Sequence, residues 1–130
     1  MVSYRTSLGR ARGLGSAKHG VNVWIAERVS SVALVPLSLW AVVSALNLAR
    51  VGFDGATAWL HSPLNAVLAA LLMAVSFQHM HGGLRVVIED YIHKPGSKAA
   101  LLIANLFVCV LGAAISVFCI LKIALIGGAV

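Results

Sequence analysis

Three long stretches without Asp, Glu, Lys or Arg divide this chain of 130 residues, and they constrain its fold more than any other feature. They cover residues 29–49, 55–84 and 99–121, which are 21, 30 and 23 residues long. A helix needs roughly 20 apolar residues to cross a bilayer, and backbone groups in lipid must pair within the crossing segment. The pattern therefore predicts an all-α integral membrane protein with three transmembrane helices, at about 24–50, 64–88 and 99–122.

The overall composition excludes a soluble monomer. Hydrophobic residues make up 60% of the chain, charged residues only 11%, and the mean hydropathy is +0.94. Soluble domains carry about 25% charged residues, so this chain could not cover itself with polar surface. The length favours a single domain over residues 1–130, with a polar cytoplasmic tail at 1–22. Residues 56–63, before the second span, are typical of a membrane interface because they contain Trp59 and His61. The second loop is predicted to be short, over residues 92–97, with Pro95-Gly96 as its turn signal.

The basic residues predict the orientation of the chain in the membrane. The N-terminal tail and the second loop carry most of them, and the first loop and the C-terminus carry few: Arg5, Arg10, Arg12, Lys18, Arg85, Lys94 and Lys98 against Arg50 and Lys122. Because Lys and Arg favour the cytoplasmic side, we predict that the N-terminus lies inside and the C-terminus outside. The formal net charge of +6 then serves orientation and contact with anionic lipid, and it requires no nucleic acid.

The second span ends in the segment FQHMHGGLRVVIEDYIHK, residues 77–94, which places two histidines in an apolar run. A histidine within a span is a candidate functional residue, and its structural alternative is a hydrogen bond to a neighbouring helix. His79 and Asp90 are eleven residues apart, which on a helix is about 20° of rotation and about 16 Å of rise. Gly83 lies on the same stripe between them, whereas His81 points to nearly the opposite side.

This stripe suits a large flat ligand. An imidazole can be an axial ligand of haem iron, and Gly82 with Gly83 removes side-chain bulk where the edge of a porphyrin could approach the backbone. Paired small residues also allow close helix packing in membranes, and the spacing leaves both interpretations open. His79 and His81 face apart and cannot bind one iron, so a bis-histidine haem would require a ligand from another subunit.

The chain resembles the small hydrophobic membrane-anchor subunit of succinate dehydrogenase, also called succinate:quinone oxidoreductase or complex II. The most specific match is His79 followed eleven residues later by Asp90-Tyr91, with Gly83 between them. The resemblance extends over nearly the whole chain and includes the opening Met-Val-Ser, Leu-Gly-Arg at 8–10, Gly20-Val21, and Arg28 followed by Ser30 and Ser31.

The resemblance implies a cofactor site shared with a second hydrophobic anchor subunit of the complex, the partner anchor subunit. His79 would be one axial ligand of a haem b iron, and the partner anchor subunit would supply the other. Gly83 would lie at the haem edge, and Arg28 near the haem propionates and the quinone pocket. Tyr91 would hydrogen-bond a ubiquinone carbonyl, and Asp90 would support that quinone site.

The resemblance also implies further partners and a location. The chain would not be an enzyme by itself, because it has no nucleotide motif, no cysteine cluster for iron–sulfur and no flavin site. It would pass electrons from the iron–sulfur subunit to ubiquinone, while a flavoprotein subunit oxidises succinate. The expected location is the bacterial inner membrane rather than the mitochondrial one. The sequence does not decide whether the complex forms a trimer of heterotetramers.

Other classes of function are also open at this stage. A cofactor-free structural anchor, or a fumarate reductase-type anchor, would hold soluble partners on the membrane. Alternatively, the chain would be an unrelated transporter subunit with three spans, in which His79 relays protons. The structural anchor and the transporter both predict the absence of a haem chromophore, and the transporter also predicts no dependence on quinone.

Overall fold

The computed structural model describes residues 6–13 and 20–126, which form five helices. These are α1 (Ser7–Ala11), α2 (Gly20–Leu48), α3 (Gly52–Leu60), α4 (Pro63–Tyr91) and α5 (Pro95–Ile126). Helices α2, α4 and α5 contain 29, 29 and 32 residues and are long and apolar enough to cross a membrane. A helix of that length spans about 43 Å or more, which exceeds a hydrocarbon core of ~30 Å. The predicted all-α fold with three transmembrane helices is therefore confirmed.

The predicted spans lie on these three helices, with one difference at the end of the first. Helix α2 ends at Leu48, so residues 49 and 50 belong to the turn that follows. Half of the tail predicted over 1–22, namely residues 1–5 and 14–19, lies outside the described residues; the other half contains α1, the turn after it and the first residues of α2. The orientation of the N-terminus stays a prediction.

The turn between α4 and α5 is shorter than the sequence predicted. We expected a loop over 92–97 with Pro95-Gly96 as its turn, and this was wrong. Only residues 92–94 separate the helices, and Pro95 is the first residue of α5. Proline suits this position because its missing N–H would have no partner inside the helix and its φ is already helical. The Lys98 Nζ donates a hydrogen bond of 2.7 Å to the Glu89 carbonyl oxygen and ties the two helix ends together.

Helix α3 fills the first loop, where the sequence analysis predicted only an interfacial segment over 56–63. The Trp59 ring stacks on Trp40 of α2, with 5.5 Å between ring centroids. The imidazole of His61 lies 3.3 Å from the Ala124 carbonyl oxygen through Nδ1. These contacts attach α3 to both outer helices, so the short helix closes this end of the bundle.

Helix α4 lies between α2 and α5, and the two outer helices do not pack on each other within the described residues. Only three apolar residues of the described chain are buried, namely Leu37, Ala66 and Cys109. Large hydrophobic side chains on all three long helices are exposed. This surface can be covered only by lipid or by other subunits, as the apolar composition requires.

Gly112 allows α5 to approach α4 closely. A Cβ atom at this position would collide with the ring of Phe77 on α4. Small residues at such crossings are common in membrane helices because packing is their main source of association energy. Gly112 is therefore a packing residue of the α4–α5 interface.

We expect Gly112→Val to destabilise the protein by about 1–3 kcal/mol, because the Phe77 ring must move to admit the new side chain. Thermal unfolding in detergent would measure this as a lower Tm. Gly96→Val is the matched control, since a Cβ at Gly96 meets nothing within 4 Å. Equal Tm values for the two variants would contradict the packing role of Gly112.

Candidate functional site

A cavity of about 710 Å³ lies between α2 and α4, in the half of α4 that leads to Tyr91. Its volume is within the ~300–1,000 Å³ of typical small-molecule and cofactor sites. The cavity is open on one side, so a ligand here would also face a neighbouring subunit or lipid. The polar lining residues include Trp24, Glu27, Arg28 and Ser31 of α2, and His79, Arg85 and Glu89 of α4.

His79 is held by two groups of α2 at one ring nitrogen. Its Nδ1 lies 3.0 Å from the Ser30 hydroxyl and 3.3 Å from the Glu27 Oε2 atom. The His79 side chain is 38% exposed, while Ser30 is buried. The ring is therefore anchored through Nδ1 and lines the cavity, where an axial ligand of a haem iron would have to lie.

Gly82 is the glycine at which α2 approaches α4. A Cβ atom on Gly82 would collide with the Glu27 carboxylate, whereas a Cβ on Gly83 would meet nothing within 4 Å. Gly83 and Val86 were both predicted to lie on the stripe of His79; Val86 lines the cavity, but the glycine that lines it is Gly82 rather than Gly83. Gly83 faces open space beside this cavity wall.

Arg28 and Arg85 give the cavity two cationic groups. The Arg28 guanidinium lies 5.5 Å from the centroid of the Trp24 ring, within range of a cation–π interaction. The Arg85 Nε donates a hydrogen bond of 2.7 Å to Glu89 Oε1. The structure thus brings the predicted residues Arg28 and His79 to one cavity. Arg85 was missed as a site residue because a basic residue near a span end is usually an orientation signal.

Tyr91 and Asp90 lie at the end of α4, and the structure does not place them among the residues lining this cavity. Both are exposed, and Tyr91 is 76% exposed. The Tyr91 carbonyl oxygen lies 3.1 Å from His93 Nδ1, which fixes the backbone at the start of the turn. Both side chains are therefore presented to the surroundings at the same end of α4 as the two arginines.

His81 belongs to a different polar cluster, on the α5 side of α4. The Asn105 Nδ2 donates to the His81 carbonyl oxygen at 2.9 Å and lies 3.2 Å from His81 Nδ1. The Cys109 thiol donates to Asn105 Oδ1 at 3.3 Å, and both of these α5 residues are buried. The prediction that His79 and His81 face different sides of the helix is confirmed by these contacts.

The described residues contain no group of three or more His, Cys, Asp or Glu side chains that could enclose a metal ion. His81 Nδ1 accepts a hydrogen bond from Asn105, so the proton of a neutral His81 resides on Nε2 and neither nitrogen offers a free lone pair. His79 is the residue suited to ligation, because its contacts leave Nε2 available. A single imidazole fits a haem iron, whose other ligands are the porphyrin and a second axial group.

Comparison with known proteins assigns the chain to a family. The family described as succinate dehydrogenase/fumarate reductase transmembrane subunit matches residues 2–113. The chain belongs to this family. Its three membrane-length helices agree with the transmembrane subunits of that family, and the resemblance inferred from the sequence motifs is confirmed. No solved structure matches the chain significantly.

Several relatives are similar over most of their length. The succinate dehydrogenase hydrophobic membrane anchor subunit of Rickettsia conorii is 29% identical over 111 residues, which cover 85% of this chain and 88% of that protein. The protein with the same name in Paracoccus denitrificans is 33% identical over 109 residues, or 82% of each chain. That of Rickettsia bellii is 33% identical over 103 residues, covering 78% and 81%.

Proposed function

We propose that the chain anchors a succinate:quinone oxidoreductase in the membrane and contributes His79 to a haem b shared with the partner anchor subunit. The observation that carries this proposal is the position of the His79 ring on a cavity between two transmembrane helices, held through Nδ1 by α2. The contacts at Nδ1 leave the second ring nitrogen available for ligation. Family membership supports the same function, because the relatives are named as anchor subunits of succinate dehydrogenase.

The residues present fit a haem. The cavity volume suits a cofactor, and Arg28 and Arg85 supply the cations that propionate carboxylates would pair with. Gly83 does not line this cavity, although the position of a Cβ on it is open, so its place at the haem edge stays a prediction from the resemblance. In this proposal His79 would be one ligand of the haem iron, and the partner anchor subunit would supply another. The haem would provide a one-electron centre close to the quinone site.

The proposed quinone site uses the end of α4. The Tyr91 hydroxyl would donate a hydrogen bond to a ubiquinone carbonyl oxygen, whose negative charge increases on reduction. Asp90 would hold or deliver protons at the water boundary beside it. Because Tyr91 is 76% exposed, the pocket around the quinone would be completed by neighbouring subunits rather than by this chain alone.

The proposed partners are the partner anchor subunit, the iron–sulfur subunit and the flavoprotein subunit. The many exposed apolar side chains of α2 and α5 supply surface for the partner anchor subunit and for lipid. Succinate would be oxidised on the flavoprotein, and electrons would reach ubiquinone through the iron–sulfur subunit, so this chain is a non-catalytic subunit. The relatives from Rickettsia and Paracoccus support the inner membrane of a bacterium as its location. An N-terminus inside is proposed from the distribution of Lys and Arg along the chain.

Purification of the tagged chain in mild detergent tests this proposal. We expect three companion polypeptides and succinate-dependent reduction of ubiquinone by the purified material. A chain that purifies without companions from its native membrane would contradict the anchor function. Companions that oxidise succinate only with an artificial acceptor, and never with a quinone, would contradict the quinone site.

A further inference from the structure

We infer that Glu27 is a positioning residue for His79: its carboxylate lies beside the Nδ1 atom whose hydrogen the Ser30 hydroxyl accepts, which favours one ring tautomer and makes Nε2 a stronger ligand. The inference rests on the proposed function, because its consequence is expressed at the haem iron. Glu27 was not among the residues that the sequence motifs suggested. Its position on α2 next to Arg28 makes it resemble an ordinary charge at the mouth of a span.

The hydrogen bonds around His79 have defined directions. The Ser30 hydroxyl lies 3.0 Å from the Glu27 carbonyl oxygen and 3.0 Å from His79 Nδ1. A hydroxyl has one hydrogen, and the carbonyl oxygen can only accept it, so the Ser30 oxygen is left to accept from Nδ1. The Glu27 carboxylate lies 3.3 Å from the same nitrogen, and its negative charge favours a hydrogen at that nitrogen. The acceptor and the charge together place the proton of a neutral imidazole on Nδ1 and leave the lone pair on Nε2.

The sequence builds this arrangement from a glycine as well as an acid. The Glu27 carboxylate occupies the space where a Cβ of residue 82 would be, so Gly82 is what admits it against α4. The hydroxyls of Ser30 and Ser31 both donate to the Glu27 carbonyl oxygen, at 3.0 and 2.8 Å. An acid within a span is costly and generally faces a partner inside the bundle. Here the partner is the His79 imidazole.

A carboxylate that accepts from a metal-bound histidine orients the ring and raises the basicity of the ligating nitrogen. A more basic axial ligand stabilises ferric iron more than ferrous iron, because the ferric ion carries the larger charge. Glu27 should therefore lower the midpoint potential of the haem. This effect concerns the potential and the ring orientation, and a purely structural role for Glu27 would not produce it.

A redox titration of the b-type absorbance band in the whole complex tests the inference with Glu27→Gln and Glu27→Ala. We expect both variants to retain haem through His79. Loss of such a partner costs about 10–100-fold in metal affinity. A loss at the lower end of that range, confined to the ferric state, would appear in Glu27→Ala as a rise of ~59 mV for one electron. Glu27→Gln keeps a neutral oxygen acceptor, so its rise should be smaller. If Glu27→Ala fails to assemble, the Gln variant alone still decides the result.

Gly82→Ala provides an independent test, because its Cβ displaces the Glu27 carboxylate while every polar group remains. It should raise the potential in the same direction as Glu27→Gln. Gly96→Ala is the control, since a Cβ there meets nothing within 4 Å, and it should leave the potential unchanged. An unaltered potential in both Glu27→Gln and Gly82→Ala would overturn the inference while leaving the haem assignment intact. A wild-type complex without a b-type band would instead overturn the proposed function, and the inference with it.

Discussion

Replacing His79 with alanine is expected to remove the b-type absorbance band from the purified complex. His79 is the imidazole that lines the cavity, and its Nδ1 contacts with α2 leave Nε2 to bind iron. Changes to residues that merely hydrogen-bond a metal ligand cost 10–100-fold in affinity, so loss of the ligand itself should reduce haem content by more than about ten-fold. A reduced-minus-oxidised spectrum, normalised to the amount of protein, measures this content.

His81→Ala is the matched control for that experiment. It removes an imidazole two residues away on the same helix, but one whose Nδ1 is bound by Asn105 on the α5 side. The band should remain, with at most a loss of stability from the broken α4–α5 contact. A complex that keeps its band in His79→Ala and loses it in His81→Ala would show that the ligand has been assigned to the wrong histidine.

Tyr91→Phe is expected to slow succinate-dependent ubiquinone reduction by about 10²-fold. The variant removes one hydrogen-bond donor to an oxygen that gains negative charge, and such donors contribute about 10²–10³ in rate. The ring and its apolar contacts remain, so assembly and haem content should be unchanged. Rates with ubiquinone and with an artificial acceptor at the iron–sulfur level would separate quinone chemistry from succinate oxidation, and only the former should fall.

Tyr4→Phe is the control for Tyr91→Phe, because it removes the same hydroxyl from the other tyrosine of the chain. Its rate with ubiquinone should match that of the unmodified complex. Equal rates for both variants would assign Tyr91 to the belt of aromatic residues that lies at membrane interfaces, and would remove it from the proposed quinone site.

The lengths of the three uncharged runs predicted the transmembrane helices, because this signal does not require knowledge of tertiary contacts. Bilayer thickness sets the number of residues required, and lipid requires internal hydrogen bonds. The sequence also predicted that His79 and His81 face different sides of α4, because residues two positions apart on a helix are rotated by about 200°. The histidine contacts on α2 and on α5 confirm it.

Features that depend on contacts with a second helix could not be predicted from the sequence in the same way. Residues at three and at four positions from His79 flank one stripe almost equally, so only the location of α2 distinguishes Gly82 from Gly83. Glu27 illustrates the same limit, because its role follows from a contact 52 residues along the chain. Helix α3 was missed because a helix of nine residues is marginal by itself, and this one is attached by contacts with α2 and α5.

The turn before α5 was misassigned for a local reason. Pro95-Gly96 is a common turn signal, but proline is also favoured as the first residue of a helix. The local sequence fits both, and in the structure Pro95 begins α5 while the Lys98 Nζ bonds the Glu89 carbonyl oxygen across the two helix ends.

The reduced-minus-oxidised spectrum of the unmodified complex, purified through a tag on this chain, tests the central claim most directly. The proposed function predicts a b-type α-band in material that contains the chain and three companion polypeptides. A flat spectrum from the same intact four-protein material would contradict the role of His79 as a haem ligand and would leave a cofactor-free anchor.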